Sequence, residues 1–384
     1  MSAIDFTALR RSCAQALAED GQFGDAWVRS AFEAVDRTLF APPRFWIKAV
    51  REGGGFPLID RDTDPEGWAR TVYSPGCALV TQMDDGATAY ADGAAGRFTS
   101  SLSELRVVAR QLSHLGLERG HRVLHIGTGS GYDCALIAER TPADHVVTLE
   151  VDGRLAEDAR RNLATAGHGG VRTVIGDGER GWPGGGPYDR VLCTASAMRV
   201  PPAWIEQTRP GGIVLTPYRG LALVRLVVAE DGRTACGPVV DAMTFMALRG
   251  QRAADAVEMR EIISATLSES DKSRTDVDLS PVEHELGAEF LLHALVPGIR
   301  VAFGGQTWWF EAHDGASWAA WKPDGRVRQW GTRRLAEEAA QAVTAWQNAG
   351  APALTDLGLT VSADGECLWV RDPEGPSWRL RAAA

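Results

Sequence analysis

The sequence predicts an α/β fold: a doubly wound sheet with N-terminal helices and a smaller Trp-rich α+β domain at the C-terminus. Three observations lead to this prediction. Strand-like and helix-like segments alternate from about residue 99 to residue 230, which is typical of a parallel sheet covered by helices. Within that stretch a glycine-rich turn joins an apolar run to a helix-like run. After about residue 250 the composition changes, and short strand-like segments surround Asp-Gly turns.

The N-terminal region, residues 1–98, is predicted to pack on the central domain as helices followed by loop. Apolar residues recur at helical spacing in "AWVRSAFEAVDRTLF", and "APPRFW" ends that pattern. Residues 51–98 are rich in Gly and Asp, with only short apolar pieces such as "TVYSPGCALVTQMDDG". We therefore expect most of this second part to be loop.

The central domain is predicted to span residues 99–250. A helix leads into its first strand, and a hairpin turned by Asp231-Gly232 is expected to close its sheet. Between them strand-like and helix-like segments follow one another in the order "HRVLHIG", "HVVTLEV", "RLAEDARRNLATAG", "VRTVIGD", "YDRVLCTAS", "PAWIEQTRPGG", "IVLTPY" and "LALVRLVVAEDGRT".

The C-terminal domain is predicted to span residues 251–384. Strands are expected in "GQTWWFEAHDGASWAAWKPDGRVRQWG" and "LTVSADGECLWVRDPEGPSW", with a helix in "TRRLAEEAAQAVTAWQNAG" between them. The charge-mixed run "RGQRAADAVEMRE", which begins at Arg249, is predicted to be a solvated face. A group of tryptophans is either a peptide-binding face or part of the core, and comprises Trp308, Trp309, Trp318, Trp321 and Trp330.

Composition narrows the function classes. The chain has 384 residues and a formal charge of −10, which argues against a nucleic-acid groove because such a groove needs a basic stripe. Six cysteines without a CxxC pair predict neither a metal site nor a disulfide framework. No apolar run approaches the roughly 20 residues of a membrane span. We therefore expect a cytoplasmic protein with no nucleic-acid or membrane partner.

The run "VLHIGTGSGYDCALIAE", which begins at residue 123, indicates a ligand site. Gly127, Gly129 and Gly131 separate an apolar strand from a helix-like stretch. Their G-x-G-x-G spacing departs from the G-x-G-x-x-G of dinucleotide sites. Free backbone N–H groups at such a turn suit a carboxylate as well as a phosphate. The alternative is a tight strand-to-helix turn without a ligand.

Three later features favour S-adenosyl-L-methionine over a dinucleotide. Glu150 ends the next strand 19 residues after Gly131, where a carboxylate can accept hydrogen bonds from both ribose hydroxyls. Asp177 follows the third strand and can accept from an adenine amino group, while Gly178 lets the backbone approach the ring. A fourth strand, "YDRVLC", ends at the same crevice.

These motifs resemble the protein-L-isoaspartate O-methyltransferase family. The resemblance covers roughly residues 5 to 230 and is most specific in "VIGDGERGWPGGGPYDRVLCTASA". It implies a Rossmann-like class I methyltransferase fold, with S-adenosyl-L-methionine as cofactor and S-adenosyl-L-homocysteine as product. Phrases such as "AWIEQTRPGGIVL" and the Trp-rich tail resemble a longer branch, whose members accompany ATP-grasp ligases in making crosslinked ribosomal peptides (graspetides).

The resemblance also implies the site residues. The cofactor-binding set is His125, Gly127, Thr128, Gly129, Gly131, Glu150, Val151, Asp177, Gly178 and Thr194. The acceptor segment that holds the carboxylate, and so the catalytic set, is Thr99, Ser100, Ser101 and Ser103. An alternative for these hydroxyls is a capping box between Ser101 and Glu104 at the start of the following helix.

Two positions depart from the family pattern. Where the family has Ser-x-Pro, this chain has Ser103-Glu104-Leu105, so the acceptor segment lacks the rigid proline. Where the family's first strand carries an acid that helps position the methionyl amine, this chain has His125. A neutral histidine can accept that hydrogen bond, whereas a protonated one repels the cation, so we expect cofactor affinity to fall as pH drops through a value near 6.5.

The resemblance predicts a carboxyl O-methyltransferase with a peptide substrate. Its expected target is an aspartate of a crosslinked precursor peptide, whose methyl ester collapses to an aspartimide, and its expected second partner is an ATP-grasp ligase. Two alternatives stay open. One is housekeeping repair of isoaspartyl residues, against which we count the roughly 150 extra C-terminal residues. The other is a non-catalytic scaffold for a peptide synthetase.

Overall fold

The computed structural model describes residues 4–49, 53–254 and 257–380. These residues form three sheets and the helices that pack against them. The helices are α1 (Phe6–Glu19), α2 (Ala26–Ala34), α3 (Pro65–Val72), α4 (Leu105–His114), α5 (Tyr132–Ala138), α6 (Gly153–Thr165), α7 (Pro202–Glu206), α8 (Met259–Thr266), α9 (Pro281–His284), α10 (Leu286–Leu295) and α11 (Leu335–Asn348).

The strands follow the same chain order. The first four are β1 (Arg44–Ile47), β2 (Leu58–Asp60), β3 (Leu79–Met83) and β4 (Phe98–Leu102). The next seven are β5 (Val123–Ile126), β6 (Val146–Glu150), β7 (Arg172–Ile175), β8 (Tyr188–Cys193), β9 (Thr208–Tyr218), β10 (Ala222–Val228) and β11 (Ala235–Ala242). The last eight are β12 (Asp271–Arg274), β13 (Ile299–Gly304), β14 (Thr307–Ala312), β15 (Ser317–Trp321), β16 (Arg326–Gly331), β17 (Leu357–Ser362), β18 (Gly365–Val370) and β19 (Ser377–Arg379).

The central sheet has ten strands in the order β19-β18-β17-β11-β10-β9-β8-β5-β6-β7. The strands from β9 to β7 in that order pair in parallel, and the others pair in antiparallel fashion. All residues of β5 and β6 are buried, because helices and loops cover both faces of the parallel part. The predicted doubly wound α/β fold is confirmed.

The C-terminal region extends this sheet, which the sequence analysis did not predict. The turn at Asp231-Gly232 does join β10 to β11, but the hairpin does not close the sheet. Instead β11 pairs with β17, with Ala235 opposite Val361, and β18 and β19 follow. The boundary near residue 250 stays a prediction, yet the last three strands belong to the central sheet.

The N-terminal region also contains more structure than expected. The expectation of loop between residues 51 and 98 is wrong for β2, α3 and β3, which lie there, and β2, β1, β3 and β4 form an antiparallel sheet in that order. Tight turns rich in Gly and Asp connect its short strands, which explains why the composition resembled loop. Strand β4 lies at the edge of this sheet.

The third sheet has the order β12-β16-β15-β14-β13 and packs on α10 and α11. Trp318 and Trp321 are buried in it, whereas Trp308, Trp309 and Trp330 are half-buried. Trp321 contacts Trp308 edge to face at a centroid distance of 4.9 Å, and Trp309 lies 5.9 Å from Trp318. These contacts favour the core interpretation of the tryptophans over a peptide-binding face.

Two observations concern partners and metals. None of the helices within the described ranges is both long and apolar enough to cross a bilayer. The same ranges contain no group of three or more His, Cys, Asp or Glu side chains placed to hold a metal ion. All six cysteines are free.

Candidate active site

A cavity of about 630 Å³ lies at the carboxyl ends of β5, β6 and β8. Three parts of the chain line it: the ends of these central strands, the edge strand β4 and its continuation to Glu104, and residues 244–252. A crevice at this end of a parallel sheet is where α/β proteins bind ligands. The cavity thus brings together parts of the chain that the sequence places far apart.

The glycine turn forms one wall of the cavity. Gly127, Gly129 and Gly131 have φ angles of 91°, 52° and 89°, a region that side chains other than glycine rarely adopt. A Cβ atom at Gly127 would lie 2.9 Å from Thr194 Oγ1. Gly131 does not line the cavity; a Cβ there would lie 3.1 Å from Leu163, so this glycine allows α5 to pack on α6.

Glu150 ends β6 at the cavity and is 8% exposed. Its carboxylate accepts hydrogen bonds from the backbone N–H of Gly129 at 2.9 Å and of Asp152 at 3.1 Å. Burial raises the pKa of Glu150, while these two hydrogen bonds oppose the rise. Each carboxylate oxygen retains a lone pair for a ligand hydroxyl. Val151 follows at the lining with 42% exposure.

Asp177 and Gly178 line the cavity after β7. Asp177 accepts a hydrogen bond from the backbone N–H of Glu179 at 3.0 Å, which fixes the turn. A Cβ at Gly178 would lie 2.5 Å from Ile126 Cγ2, so only glycine fits between the turn and β5. Thr194 also lines the cavity, and its hydroxyl donates to the Gly127 carbonyl at 2.8 Å.

The acceptor segment runs along the edge strand β4. Thr99 donates from its hydroxyl to Gln82 Oε1 at 2.9 Å, and Ser100 Oγ accepts from Thr81 at 3.0 Å. Among the described residues, the hydroxyls of Ser101 and Ser103 have no hydrogen-bond partner. All four side chains belong to residues that line the cavity.

The capping-box alternative for this segment is wrong. Ser101 lies within β4, and the residue that precedes α4 is Glu104, whose side chain makes no capping hydrogen bond. The segment also lies close to the glycine turn: a Cβ at Gly129 would lie 3.8 Å from the Ser101 carbonyl and 4.0 Å from Ser100 Oγ. The hydroxyls are therefore available to the cavity rather than committed to a helix start.

His125 is the predicted cofactor residue that the structure places elsewhere. Its side chain is fully buried in β5 and does not line the cavity. Nδ1 lies 2.9 Å from Thr148 Oγ1 and 3.3 Å from Cys134 Sγ. Thr148 in turn lies 2.7 Å from the hydroxyl of Thr128, which does line the cavity. The expected direct contact between His125 and the methionyl amine is therefore corrected to a packing role beneath the turn.

Burial also changes the expected titration of His125. The imidazole has no charged neighbour to stabilise its protonated form, and burial lowers its pKa to about 4. The His125 imidazole, buried beneath the cavity, is therefore neutral throughout the physiological pH range. The expected loss of cofactor affinity near pH 6.5 is thus wrong as far as His125 is concerned.

Comparison with known proteins agrees with this geometry. A sequence model described as protein-L-isoaspartate(D-aspartate) O-methyltransferase matches residues 80–251. The protein-L-isoaspartate O-methyltransferase of Hyperthermus butylicus is 33% identical over 258 residues, which cover 64% of this chain and 90% of that protein. The chain belongs to the protein-L-isoaspartate O-methyltransferase family.

Other relatives differ in how much they cover. The Ignicoccus hospitalis protein-L-isoaspartate O-methyltransferase is 42% identical over 118 residues, which span 30% of this chain and only 56% of that protein. A solved protein-L-isoaspartate O-methyltransferase covers 94% of this chain and 100% of its own, with a TM-score of 0.52 and 21% identity. That likeness concerns the fold alone, and it includes the C-terminal region.

As a protein-L-isoaspartate O-methyltransferase family member, the chain is an enzyme that depends on S-adenosyl-L-methionine. The cavity fits this cofactor. Gly127 and Gly178 let the turns at the cavity wall pack closely against Thr194 and Ile126, and the buried carboxylate of Glu150 keeps acceptor capacity for ribose hydroxyls. The Glu150 carboxylate suits an adenosine group.

The methyltransferase cavity also has a wall that the sequence analysis missed. Arg249 and Arg252, which we expected on a solvated face, line the cavity and each lie 2.9 Å from the Asp85 carboxylate. Arg249 also lies 3.7 Å from Asp152. Nothing local in the run "RGQRAADAVEMRE" indicates this, because the partner Asp85 belongs to a turn of the N-terminal sheet. Two residues of that run, 255 and 256, lie outside the described ranges.

Proposed function

We propose that this methyltransferase esterifies an aspartate-derived carboxylate of a peptide or protein, with Thr99, Ser100, Ser101 and Ser103 as the acceptor segment. The observation that carries the proposal is the position of β4. It lies at the edge of its sheet, lines the cavity, and lies close to Gly129 of the glycine turn. An acceptor held there would lie next to the cofactor.

The cofactor side of the proposal assigns roles to three groups. Glu150 holds the ribose hydroxyls, Asp177 the adenine amino group, and the turn from Gly127 to Gly129 the methionyl end. S-adenosyl-L-methionine supplies a methyl group carried on a sulfonium, and S-adenosyl-L-homocysteine is the product. Thr128 and Thr194 support the turn through their hydroxyl hydrogen bonds.

The acceptor side needs little acid–base chemistry. A carboxylate is already ionised at neutral pH, so the protein does not have to remove a proton. Hydroxyls such as those of Ser101 and Ser103 hold the carboxylate by hydrogen bonds without neutralising it. The cavity walls align the two reactants and exclude water, which would otherwise solvate the nucleophile.

The first substrate we propose is an isoaspartyl residue of a damaged protein. The relatives' names support it, since those proteins are called protein-L-isoaspartate O-methyltransferases. The roughly 150 extra C-terminal residues, which we counted against this substrate, no longer argue against it. A solved protein of that name aligns with 94% of the chain in fold, so the C-terminal region does not by itself indicate a specialised substrate.

The second candidate is an aspartate of a ribosomally made peptide crosslinked by an ATP-grasp ligase. The run "AWIEQTRPGGIVL" supports it through its resemblance to the longer branch, and the acceptor segment departs from the family at Leu105, where the family has a proline. In this reaction the next backbone nitrogen attacks the ester carbonyl and expels methanol. The product is an aspartimide, which water opens to isoaspartate.

One experiment separates these substrates. The enzyme and S-adenosyl-L-methionine are incubated with an isoaspartyl peptide, the matched aspartyl peptide and a crosslinked precursor, and the products are analysed by mass spectrometry. A methyl-group gain only on the isoaspartyl peptide supports repair. A gain on the crosslinked precursor followed by net loss of water supports the second candidate.

The non-catalytic alternative is tested by binding. A scaffold would leave all three peptides unmodified while the protein is folded. Calorimetry with S-adenosyl-L-homocysteine then shows whether the cavity holds the cofactor at all. Binding without methylation of any peptide would overturn the proposed substrates but not the cofactor site.

A further inference from the structure

We infer that Asp133 is the residue that binds the α-ammonium group of the methionyl part of S-adenosyl-L-methionine. Asp133 lies in the first turn of α5, two residues after Gly131 of the glycine turn, and lines the cavity. The inference concerns the cofactor only. It therefore does not depend on which peptide is methylated.

Asp133 is a carboxylate residue of the cavity lining without a partner. Among the described residues it makes neither a hydrogen bond nor an ion pair. Its neighbours in sequence, Tyr132 and Cys134, are buried, whereas Asp133 keeps some exposed surface and belongs to the cavity lining. A carboxylate in such a position has acceptor capacity directed at whatever fills the cavity.

The surroundings leave the charge of Asp133 uncompensated. Burial raises the pKa of its carboxyl to about 6, and Arg37 opposes the rise. The Arg37 guanidinium lies over the Tyr132 ring, 5.3 Å from its centroid, and donates through Nη2 to the Ser103 carbonyl at 2.9 Å. It forms no ion pair with Asp133 within the described residues. An ammonium group in the cavity would supply the missing positive charge.

Of the remaining acidic groups of the lining, two accept hydrogen bonds from the backbone and one lies on the acceptor side of the cavity. Glu150 accepts from two backbone N–H groups at the end of β6. Asp177 accepts from the backbone N–H of Glu179 in the turn after β7. Glu104 precedes α4, at the end of the acceptor segment. His125 is buried beneath the turn, so it does not reach a ligand in the cavity.

A double-mutant cycle between protein and ligand tests the inference. The two probes are S-adenosyl-L-homocysteine and its analogue without the α-amino group, and calorimetry measures their dissociation constants for the wild type and for Asp133→Asn. We expect Asp133→Asn to weaken S-adenosyl-L-homocysteine binding about ten- to a hundredfold, as for a lost charged hydrogen bond. The deamino analogue should bind both proteins equally.

The matched control is Glu139→Gln, which removes a carboxylate at the other end of α5. That carboxylate pairs with His168 at 3.2 Å and does not line the cavity, so both probes should bind as they do to the wild type. An equal loss of affinity for both probes in Asp133→Asn would overturn the inference and show that Asp133 supports the turn structurally. If Asp133→Asn does not fold, Asp133→Ser is measured in the same cycle with the same two outcomes.

Discussion

Two strand pairs of the central sheet, one in its parallel half and one in its antiparallel half, differ in how far apart along the chain their strands lie. In the parallel half, β5 pairs with β6, which follows it directly in the chain order of strands. In the antiparallel half, β11 pairs with β17, and Cys236 lies opposite Thr360. All five strands of the third sheet lie between β11 and β17 in the sequence. Local sequence patterns reveal the first kind of pairing, whereas the second kind depends on contacts that no local pattern encodes.

The pairing of β11 with β17 changes the result that we expect when the chain is truncated near residue 250. On the sequence alone, such a truncation would keep cofactor binding, because the glycine turn, Glu150 and Asp177 all precede it. In the structure the truncation removes β17, which pairs with β11. It also removes residues of the apolar core of the central sheet, among them Phe290 and Leu357, both 0% exposed. We expect chain 1–250 to lose cooperative unfolding and to bind the apolar dye ANS.

The control for the truncation is the full-length chain under the same conditions. Circular dichroism and thermal melts measure whether the shortened chain still unfolds in a single transition. A truncated protein that melts cooperatively and binds S-adenosyl-L-homocysteine as tightly as the full chain would contradict the prediction. The region from residue 251 onward would then be a separate domain after all.

A point substitution in β17 tests the packing of β17 beside β11 without removing either strand. Leu359 is 0% exposed and lies in β17, next to β11. Leu359→Ala should lower the free energy of unfolding by about 2–5 kcal/mol, the usual cost of a large cavity in a core. Phe303→Ala is the control, because Phe303 is 48% exposed in β13 and should cost less than about 1 kcal/mol. Urea titrations measure both, and similar losses would mean that the antiparallel half contributes little.

The same contrast explains what could be predicted of the fold. The β–α alternation from "HRVLHIG" onward predicted the parallel strands, because each contains several apolar residues and is bounded by turn residues. The N-terminal sheet escaped prediction because its strands, such as Leu58–Asp60, are too short to show a period. The strands β17 to β19 were recognised as strands but assigned to the wrong sheet.

The residues of the site also differ in whether local sequence could place them. Gly127 and Asp177 follow β5 and β7, and Glu150 ends β6, so the sequence placed them at one edge of the sheet. His125 was assigned to the cavity although it belongs to the strand interior, because a one-residue difference along β5 changes the face on which a side chain lies. Arg249 could not be assigned, since its ion-pair partner Asp85 belongs to another sheet.

Glu150 gives the sharpest test of the parallel half as the cofactor platform. Glu150→Ala should weaken S-adenosyl-L-homocysteine binding by about 1.5–3 kcal/mol, as for the loss of hydrogen bonds to a charged acceptor. Asp177→Asn should cost less, about 0.5–1.5 kcal/mol, because its side chain is 48% exposed and an amide oxygen remains as acceptor. Calorimetry measures both affinities. Unchanged binding in Glu150→Ala would remove Glu150 from the site.

A further expected effect concerns the interior of the same half. In the folded protein burial lowers the pKa of His125 to about 4, whereas in the unfolded chain it is near 6.5. The unfolded state therefore binds a proton more readily. The stability that the neutral imidazole contributes is fully present above about pH 6.5 and is lost as pH falls toward the folded value.

This linkage predicts that wild-type stability should fall by about 1.4 kcal/mol more than that of His125→Asn between about pH 8 and about pH 5.5. Asparagine does not titrate, so whatever it costs at the Thr148 contact should be the same at both values. Urea unfolding of the two proteins at each pH measures the difference, with buffer and salt held fixed. If both proteins lose stability equally, another group titrates in this window and the imidazole is less buried than β5 suggests. If only the wild type responds while S-adenosyl-L-homocysteine affinity changes alike in both, His125 acts on folding and not on the ligand, as its place beneath the glycine turn requires.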